Sequence, residues 1–544
     1  MKRNIDCIRE LFNICITSCN DSSFNILKKK QFSFFLFALF AWTSIQAKVD
    51  RLRASYFDDP STTISISWDQ VIGENPVLHY DTMTCKGDAD SYTYHVSPYK
   101  SVFFKGMSNQ SVRLKNLKPN TKYFFTIKDS DGISKEYNFE TLSDDPEVRL
   151  SIIAGGDSRN YRNARRAANM MVSKLRPHFI LFGGDMTGGD TGQEWIDWMN
   201  DWQSTIPADG RITPIVVTRG NHEYSNRTVV DLFDLPDPTA YYSLHMGGGL
   251  LSVYTLNSLV ASGGDQAEWL KNSLHIQQYT SVWKIAQYHF PIRPHTKRKA
   301  ERNDQRKNWA SLFFKYGVDL AIESDAHVVK STYPIVPTNG PDQVEGFKRD
   351  DENGTVYIGE GCWGAPLREN NDDKKWTRAS GSFNQFKWIF VDKNTMEIRT
   401  VKTDGVEEVE PLSLINRFEM PFGIDLWKPK TGDVITLKKE TSNVLAINKP
   451  NIEIYNLCAT FNGNLCEIKW MTTKEPNKTY FEIQKSIEGR PFRTIAHVNG
   501  QGSKNKNNYY KIIDESQNHK ITVAYRLKKI APDGSILFYN SKVE

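Results

Sequence analysis

Apolar residues follow three rhythms along this 544-residue chain. Between residues 48 and 144 they alternate with polar ones, as in Ile64-Ser-Ile-Ser-Trp68, Val112-Arg-Leu114, Tyr123-Phe-Phe-Thr-Ile127 and Tyr137-Asn-Phe139. Period-two alternation cut by Gly, Pro and Asn predicts a small all-β sandwich. From 145 to about 410 the rhythm changes. Short apolar runs at 150–154, 179–182, 214–217, 282–286 and 318–322 each end on Gly or a polar cluster, and predict buried strands. Between them, three- and four-residue spacing predicts helices over Tyr161–Leu175, Glu194–Trp202 and Asp265–His275. Ala164, Ala167, Ala168 and Met171 stripe the first helix. Trp195, Trp198, Met199 and Trp202 stripe the second, which reads as core rather than as a cofactor site. Residues 411–450 are mixed and rich in Pro and Lys, and read as a linker or an extension laid on the unit before it. Residues 451–544 return to alternation in Tyr480–Lys485, Tyr525–Ile530 and Ile536–Phe538, with a Pro532-Asp533-Gly534 turn, and predict a second all-β sandwich. The fold class is therefore multidomain: an all-β sandwich, an α/β unit with helices flanking its sheets, and a C-terminal all-β sandwich.

One stretch resembles a membrane segment. Lys28-Lys29-Lys30 precede the apolar run Phe32–Trp42, and Ile45-Gln46-Ala47 follow. A basic start, a short apolar centre and a small-residue end read as a secretory signal peptide over 28–47. The centre is too short to span a bilayer, so a secreted, periplasmic or cell-surface location is expected. Residues 1–27 carry no such pattern. Translation is expected to begin near Leu27, the residues before it being an extension foreign to the native protein. Without residues 1–47 the formal charge falls from +5 to +2, which argues against nucleic acid as the main partner. Cys85, Cys362, Cys458 and Cys466 remain, too few and scattered for a disulfide framework. Cys458 and Cys466 flank a turn at Asn462-Gly463, but alternation puts them on opposite faces, so they are expected to be unpaired.

The candidate chemistry lies where the central strands run out. The blocks are Gly156-Asp157-Ser158-Arg159, Gly184-Asp185, Gly220-Asn221-His222-Glu223, Tyr288-His289 and Ser324-Asp325-Ala326-His327. Ligands of α/β sheets bind at the carboxyl ends of strands, so these groups are expected to converge on one edge. Carboxylate and amide oxygens mixed with imidazole nitrogens suit first-row metals. With Asp185 able to bridge two ions, the pattern predicts a dinuclear site, whose common work is phosphoryl transfer to water. Arg159 and Arg219 stand beside these blocks and are candidate phosphate ligands, because guanidinium forks fit phosphate oxygens. The basic run Arg293–Arg302 reads as a loop that steers anions, with no individual residue assigned.

These blocks resemble the calcineurin-like metallophosphoesterase superfamily, most of all its purple acid phosphatase branch. The pattern there is GDx(G/R), GDxxY, GNH(E/D), a lone His after a strand, and GHxH. The order and the strand setting agree here over about residues 148–400. The N-terminal sandwich also matches the layout of the larger members. Its Leu117-Lys-Pro119-Asn-Thr-Lys-Tyr123 segment resembles the tyrosine corner of fibronectin type III domains, and the C-terminal module resembles such domains more loosely. The resemblance implies a four-layer αββα catalytic fold. It implies one metal at Asp157, Asp185 and His327 and another at Asp185, Asn221, His289 and Asp325. It implies His222 as proton donor to the leaving group, with His295 as a helper. The two ions would be Fe, Mn or Zn. The partners would be a phosphorylated small molecule or nucleotide, with cell-surface or glycan contacts through the sandwich modules.

Two departures stand out. Gly188 occupies the place of the Tyr that ligates ferric iron, which favours two divalent ions. Asp325 occupies the place of the first His of GHxH, which adds charge and hardens the site. Monoester hydrolysis is the reaction expected. The alternatives are a diesterase or nucleotide hydrolase on the same scaffold, or a binding or adhesion protein whose phosphatase core has weakened.

Overall fold

The computed structural model describes residues 49–439 except 278–280, and residues 453–543 except 463–464, 474, 476–478, 488–491, 503–506, 516–522 and 531–535. The expectations for the leader, the translation start, Gly463 and the Pro532-Asp533-Gly534 turn lie outside the described residues.

Three of the apolar runs form adjacent parallel strands, Leu150–Gly155, Phe179–Phe182 and Ile215–Val217, in register Ile153↔Ile180 and Leu181↔Val216. On one side, Gln385–Val391, Thr395–Lys402 and Val434–Lys438 extend this sheet. The last of these places part of the 411–450 segment on the edge of the catalytic sheet. On the other side the sheet does not stop at the predicted domain boundary. Ser55 pairs in parallel with Ile215, so Val49–Ser55, Ile64–Gln70, Met107–Leu114 and Lys100–Phe104 continue it to ten strands. The N-terminal β-rich region thus shares a hydrogen-bonded sheet with the catalytic unit. Its second sheet, which contains Lys122–Asp129 and Tyr137–Glu140, packs on it through a core including Trp68, Val112, Phe125 and Phe139. Tyr123 closes a corner there, its hydroxyl accepting from the Lys118 N–H at 2.8 Å.

The other two runs lie side by side in a seven-stranded sheet, where Trp283–Gln287 and Leu320–Ile322 are parallel neighbours. One apolar cluster fills the space between the two large sheets, with Ile153, Leu181 and Val216 from one and Ile285, Leu320 and Ile358 from the other. Helices cover the outer faces. Gly192–Trp202 buries Trp195, Trp198 and Trp202 against the first sheet, with Trp198 and Trp202 stacked at 4.8 Å, so the aromatic stripe is core. Its Thr191 caps it in a box with Glu194. Asp265–Gln277 and Ser311–Tyr316 cover the second sheet through Leu270, Leu274 and Phe313. The result is an α/β fold of four layers, helix, sheet, sheet, helix.

Residues 453–543 form two four-stranded antiparallel-rich sheets around Ile468, Trp470, Phe481 and Leu527. Cys466 faces that core, Cys458 is half-buried, and both thiols are free. Among the described residues no helix is long and apolar enough to cross a membrane.

Candidate metal centre

The five blocks leave the carboxyl ends of parallel strands in the two facing sheets, so their side chains meet at one end of the shared core. Local backbone geometry aims them. Asp157, Arg159, Asp185, Asp325 and His327 all have positive φ, from 48° to 66°. This left-handed region is costly for residues with a Cβ and is tolerated best by Asp, Asn and His. Such strain gathered in one place is a mark of function. The loops also approach closely: a Cβ on Gly220 would sit 2.4 Å from the Asp185 N, and one on Gly361 2.4 Å from Asp157 Oδ2.

Asp157, Asp185 and His289 are buried, and their ligand atoms lie within 4.8 Å of one another. His289 Nε2 is 3.2 Å from Asp185 Oδ1, 3.0 Å from Asn221 Oδ1 and 3.6 Å from Asp325 Oδ1. His327 Nε2 is 3.2 Å from Asp157 Oδ1. The protonation of both rings follows from their far sides. His289 Nδ1 is 2.8 Å from the Gly183 carbonyl, and His327 Nδ1 is 2.8 Å from that of Pro366. A carbonyl only accepts, so each Nδ1 carries hydrogen. A neutral ring then turns the Nε2 lone pair toward oxygen lone pairs. Asp157 Oδ1 and His327 Nε2 are buried without a hydrogen-bond partner. This arrangement requires positive charge between the groups. Burial alone would lower the His289 pKa, but Asp185, Asp157 and Asp325 outweigh it and push it up to about 10. Burial would likewise raise Asp185, but His289, Arg159 and His222 hold it well below the usual carboxylate range. Hard oxygens and imidazoles whose outer nitrogens are fixed by carbonyls fit a divalent cation.

His222 stands at the mouth. Its backbone N–H donates to Asp185 Oδ1 at 2.9 Å, its Nδ1 is hydrogen-bonded to the Gly188 carbonyl, and its side chain is 21% exposed. Gly188 therefore contributes a carbonyl to the site where a phenol would otherwise be sought. A Cβ there would meet Asn160 Nδ2 at 2.5 Å. Arg159 spans the site, 3.0 Å from Asp185 Oδ2 and 3.3 Å from His222 Nδ1.

Two expectations are corrected. Arg219 does not face the ligands: it donates to the Glu223 carbonyl at 2.9 Å and to Asn226 Oδ1 at 2.8 Å, and so braces its own loop. His295 is not a helper at the mouth. Its ring is buried, with Nε2 2.7 Å from Thr377 Oγ1 and Nδ1 3.4 Å from the Arg293 carbonyl. It borders a buried charge cluster in which Lys330 donates to Glu323 and, at 2.7 Å, to Glu360. Burial and then Lys330 push its pKa well below the ordinary value. Asp325 is present at His289, but its carboxylate is also ion-paired with Lys299.

Three site residues had no role in the sequence reading. Glu223, inside the third block, accepts from the N–H groups of Gly220 at 2.7 Å, Met186 at 2.8 Å and Asp185 at 3.0 Å. One buried carboxylate thus joins the loops that carry Asp185 and Asn221. Burial and then Asp185 push its pKa up to about 7. Lys299 was one cation in a basic run. Arg368, which donates to the Asp325 carbonyl at 2.5 Å, sits in no motif.

Comparison with known proteins agrees with this geometry. Residues 49–141 match the family "Purple acid Phosphatase, N-terminal domain", and residues 152–329 match "Calcineurin-like phosphoesterase". The chain is 24% identical over 326 residues to purple acid phosphatase 21 of Arabidopsis thaliana, spanning 57% of this chain and 68% of that one. It is 24% identical over 345 residues to an uncharacterised protein of Mycobacterium tuberculosis, spanning 54% of this chain and 64% of the relative. Among solved structures, purple acid phosphatase PPD1 from yellow lupin superposes with a TM-score of 0.56 at 14% identity, over 73% of this chain and 76% of that chain. PhoD superposes with a TM-score of 0.51 at 12% identity, over 74% and 94%. The structural likenesses speak for the fold, and the sequence matches mark a hydrolase of the phosphatase class.

Proposed function

We propose that this chain, a calcineurin-like phosphoesterase carrying the N-terminal domain of purple acid phosphatases, hydrolyses phosphate monoesters at a two-metal centre. The observation that carries the reading is the pair of buried histidines, each with Nδ1 committed to a carbonyl and Nε2 turned onto a carboxylate. Asp157 and His327 would hold one ion. Asn221, His289 and Asp325 would hold the other, and Asp185 would serve both. Such ions, when bound, supply Lewis acidity and a water of lowered pKa.

The chain's own residues do the rest. Arg159 places a fixed guanidinium beside Asp185, where it can take two phosphoryl oxygens and hold the ester for in-line displacement. His222 lies between the buried carboxylates and solvent. Its Nδ1 is held by the Gly188 carbonyl, which leaves Nε2 to give a proton to the leaving oxygen. Glu223 keeps the Asp185 and Asn221 loops at fixed separation. Gly188 brings no phenolate, so two divalent ions such as Mn or Fe(II) are the favoured pair. We read the chain as exported behind a leader ending near Ala47, with fibronectin type III-like modules flanking the catalytic unit. N-terminal sequencing of the mature protein checks the first point.

The test is metal analysis joined to turnover. Purified protein is assayed for bound metal and for hydrolysis of p-nitrophenyl phosphate and its bis ester with added Mn, Fe or Zn. Metal uptake with monoester turnover, both abolished in Asp185→Asn, is expected. Faster bis-ester turnover would reassign the substrate class. No metal uptake would overturn the reading.

A further inference from the structure

Lys299 holds a cation where the second metal's ligands gather. Its ammonium is ion-paired with Asp325 Oδ1, the same oxygen that lies 3.6 Å from His289 Nε2. The lysine reaches in from a loop tied at its base, where the Arg302 N–H donates to the Ile292 carbonyl at 3.0 Å and the Lys299 N–H to that of Thr296 at 3.2 Å. Its side chain remains 22% exposed, so the charge stands at the mouth on a flexible stem. Two other cations of the basic run are engaged elsewhere: Arg293 with the Glu345 carbonyl at 2.7 Å and Asn303 at 2.7 Å, and Arg302 over the Phe290 ring. Other cations also stand around the carboxylates. Asp157, Asp185 and Asp325 are met by Arg159 on Asp185, Lys299 on Asp325 and Arg368 on the Asp325 carbonyl. A neutral imidazole at position 325 would offer an ammonium no counter-charge, so Asp325 and Lys299 act as a pair.

We propose that Lys299 competes with the second metal ion for Asp325, and that the ion, on binding, releases the ammonium to take a phosphoryl oxygen of the substrate. Lys299 is thus a substrate-binding residue whose availability is set by occupancy of the second position. The inference rests on the two-metal reading above. A divalent ion at the oxygen that pairs with the ammonium would bring two like charges close together, and these repel strongly in a partly buried site. The displaced lysine keeps its stem at the mouth, within the reach of four methylenes.

The experiment is calorimetric titration of Mn²⁺ into metal-stripped, full-length protein, with bound metal counted by mass spectrometry, for the wild type, K299M, K299Q and K299R. Two binding steps are expected. In K299M and K299Q the second step tightens at least tenfold, about 1.4 kcal/mol, while the first is unchanged; K299R follows the wild type. In the Mn-loaded proteins, inorganic phosphate binds at least tenfold more weakly to K299M than to the wild type. A second step that is unchanged or weaker in both neutral variants overturns the proposal and leaves the two-metal reading standing. No Mn²⁺ uptake by any of the four proteins overturns both.

Discussion

Glu223→Gln separates a positioning carboxylate from a merely charged one. The Glu223 side chain is buried and receives three backbone N–H bonds, two at Oε2 from Gly220 and Asp185 and one at Oε1 from Met186. An amide can keep its oxygen on the two-donor side. Its NH₂ group then faces the Met186 N–H, donor against donor, in a place water does not reach. One buried donor left unmatched costs about 1–3 kcal/mol. Removal of the charge adds little, because burial and Asp185 already push the carboxyl's pKa up to about 7. The expected loss is therefore about 1–3 kcal/mol for Glu223→Gln. Glu223→Ala, which strands all three donors and opens a cavity, should lose at least about 3 kcal/mol. Urea unfolding followed by tryptophan fluorescence reads both, since Trp195, Trp198 and Trp202 are packed in the same core. Metal content should fall with stability in Glu223→Gln, because the loops of Asp185 and Asn221 lose their common anchor. A Glu223→Gln protein as stable and as metal-rich as the wild type would refute the reasoning.

Arg159 and Arg219 should separate cleanly. Arg159→Ala is expected to raise the inhibition constant of phosphate roughly tenfold to a hundredfold, the worth of a charge-assisted hydrogen bond. Arg219→Ala, which loses only a loop brace, should lower the unfolding midpoint and move phosphate binding much less; equal effects of both on phosphate would sink the assignment. His178 should cost the fold stability on acidification from about pH 6.5 downward, against the gain from Glu223, whose raised pKa stabilises the folded state as pH falls from about 7 toward 4.5. Burial, with Arg417 and Arg211, lowers His178 to about 3, and its Nδ1 accepts from the Ser151 N–H at 2.9 Å. The unfolded chain thus binds this proton first, and stability present above the ordinary imidazole value is lost as pH falls toward 3. Glu140, which burial would raise, is lowered instead by Arg211 and Arg417 to about 2, so its share is lost below the ordinary carboxylate value of 4.5. Melting temperatures of the wild type and His178→Asn at pH 7.5, 5.5 and 4.5 isolate the His178 share; a difference between the two proteins that does not change with pH refutes it.

Local sequence determined a great deal here. The apolar runs ending in Gly and polar residues marked Leu150–Gly155, Phe179–Phe182 and Ile215–Val217 as strands with candidate ligands just past their ends. The placement of Asp just past a strand is local, whereas its left-handed backbone is held by the neighbouring loop, where the Asp157 N–H donates to the Gly184 carbonyl at 2.9 Å. The tryptophan stripe of Gly192–Trp202 was equally legible, since helical spacing alone puts those rings on one face. Tertiary structure decided what long or isolated side chains do. Arg219 and Arg159 both neighbour a ligand block, yet one braces a loop and the other meets Asp185, because each guanidinium goes to whichever oxygens the fold brings near. His295 looked like a loop residue and is buried instead, since the cluster enclosing it draws on Glu323, Lys330 and Glu360 from separate strands and loops. Lys299 and Arg368 reach Asp325 from segments whose order along the chain carries no sign of the meeting. The shared ten-stranded sheet arose the same way, through one parallel pairing of Ser55 with Ile215 that no alternation pattern encodes. Periodicity and strand-end chemistry are written in neighbouring residues. The partner of a charge, and the strand beside an edge, depend on distances that exist only after the chain has folded.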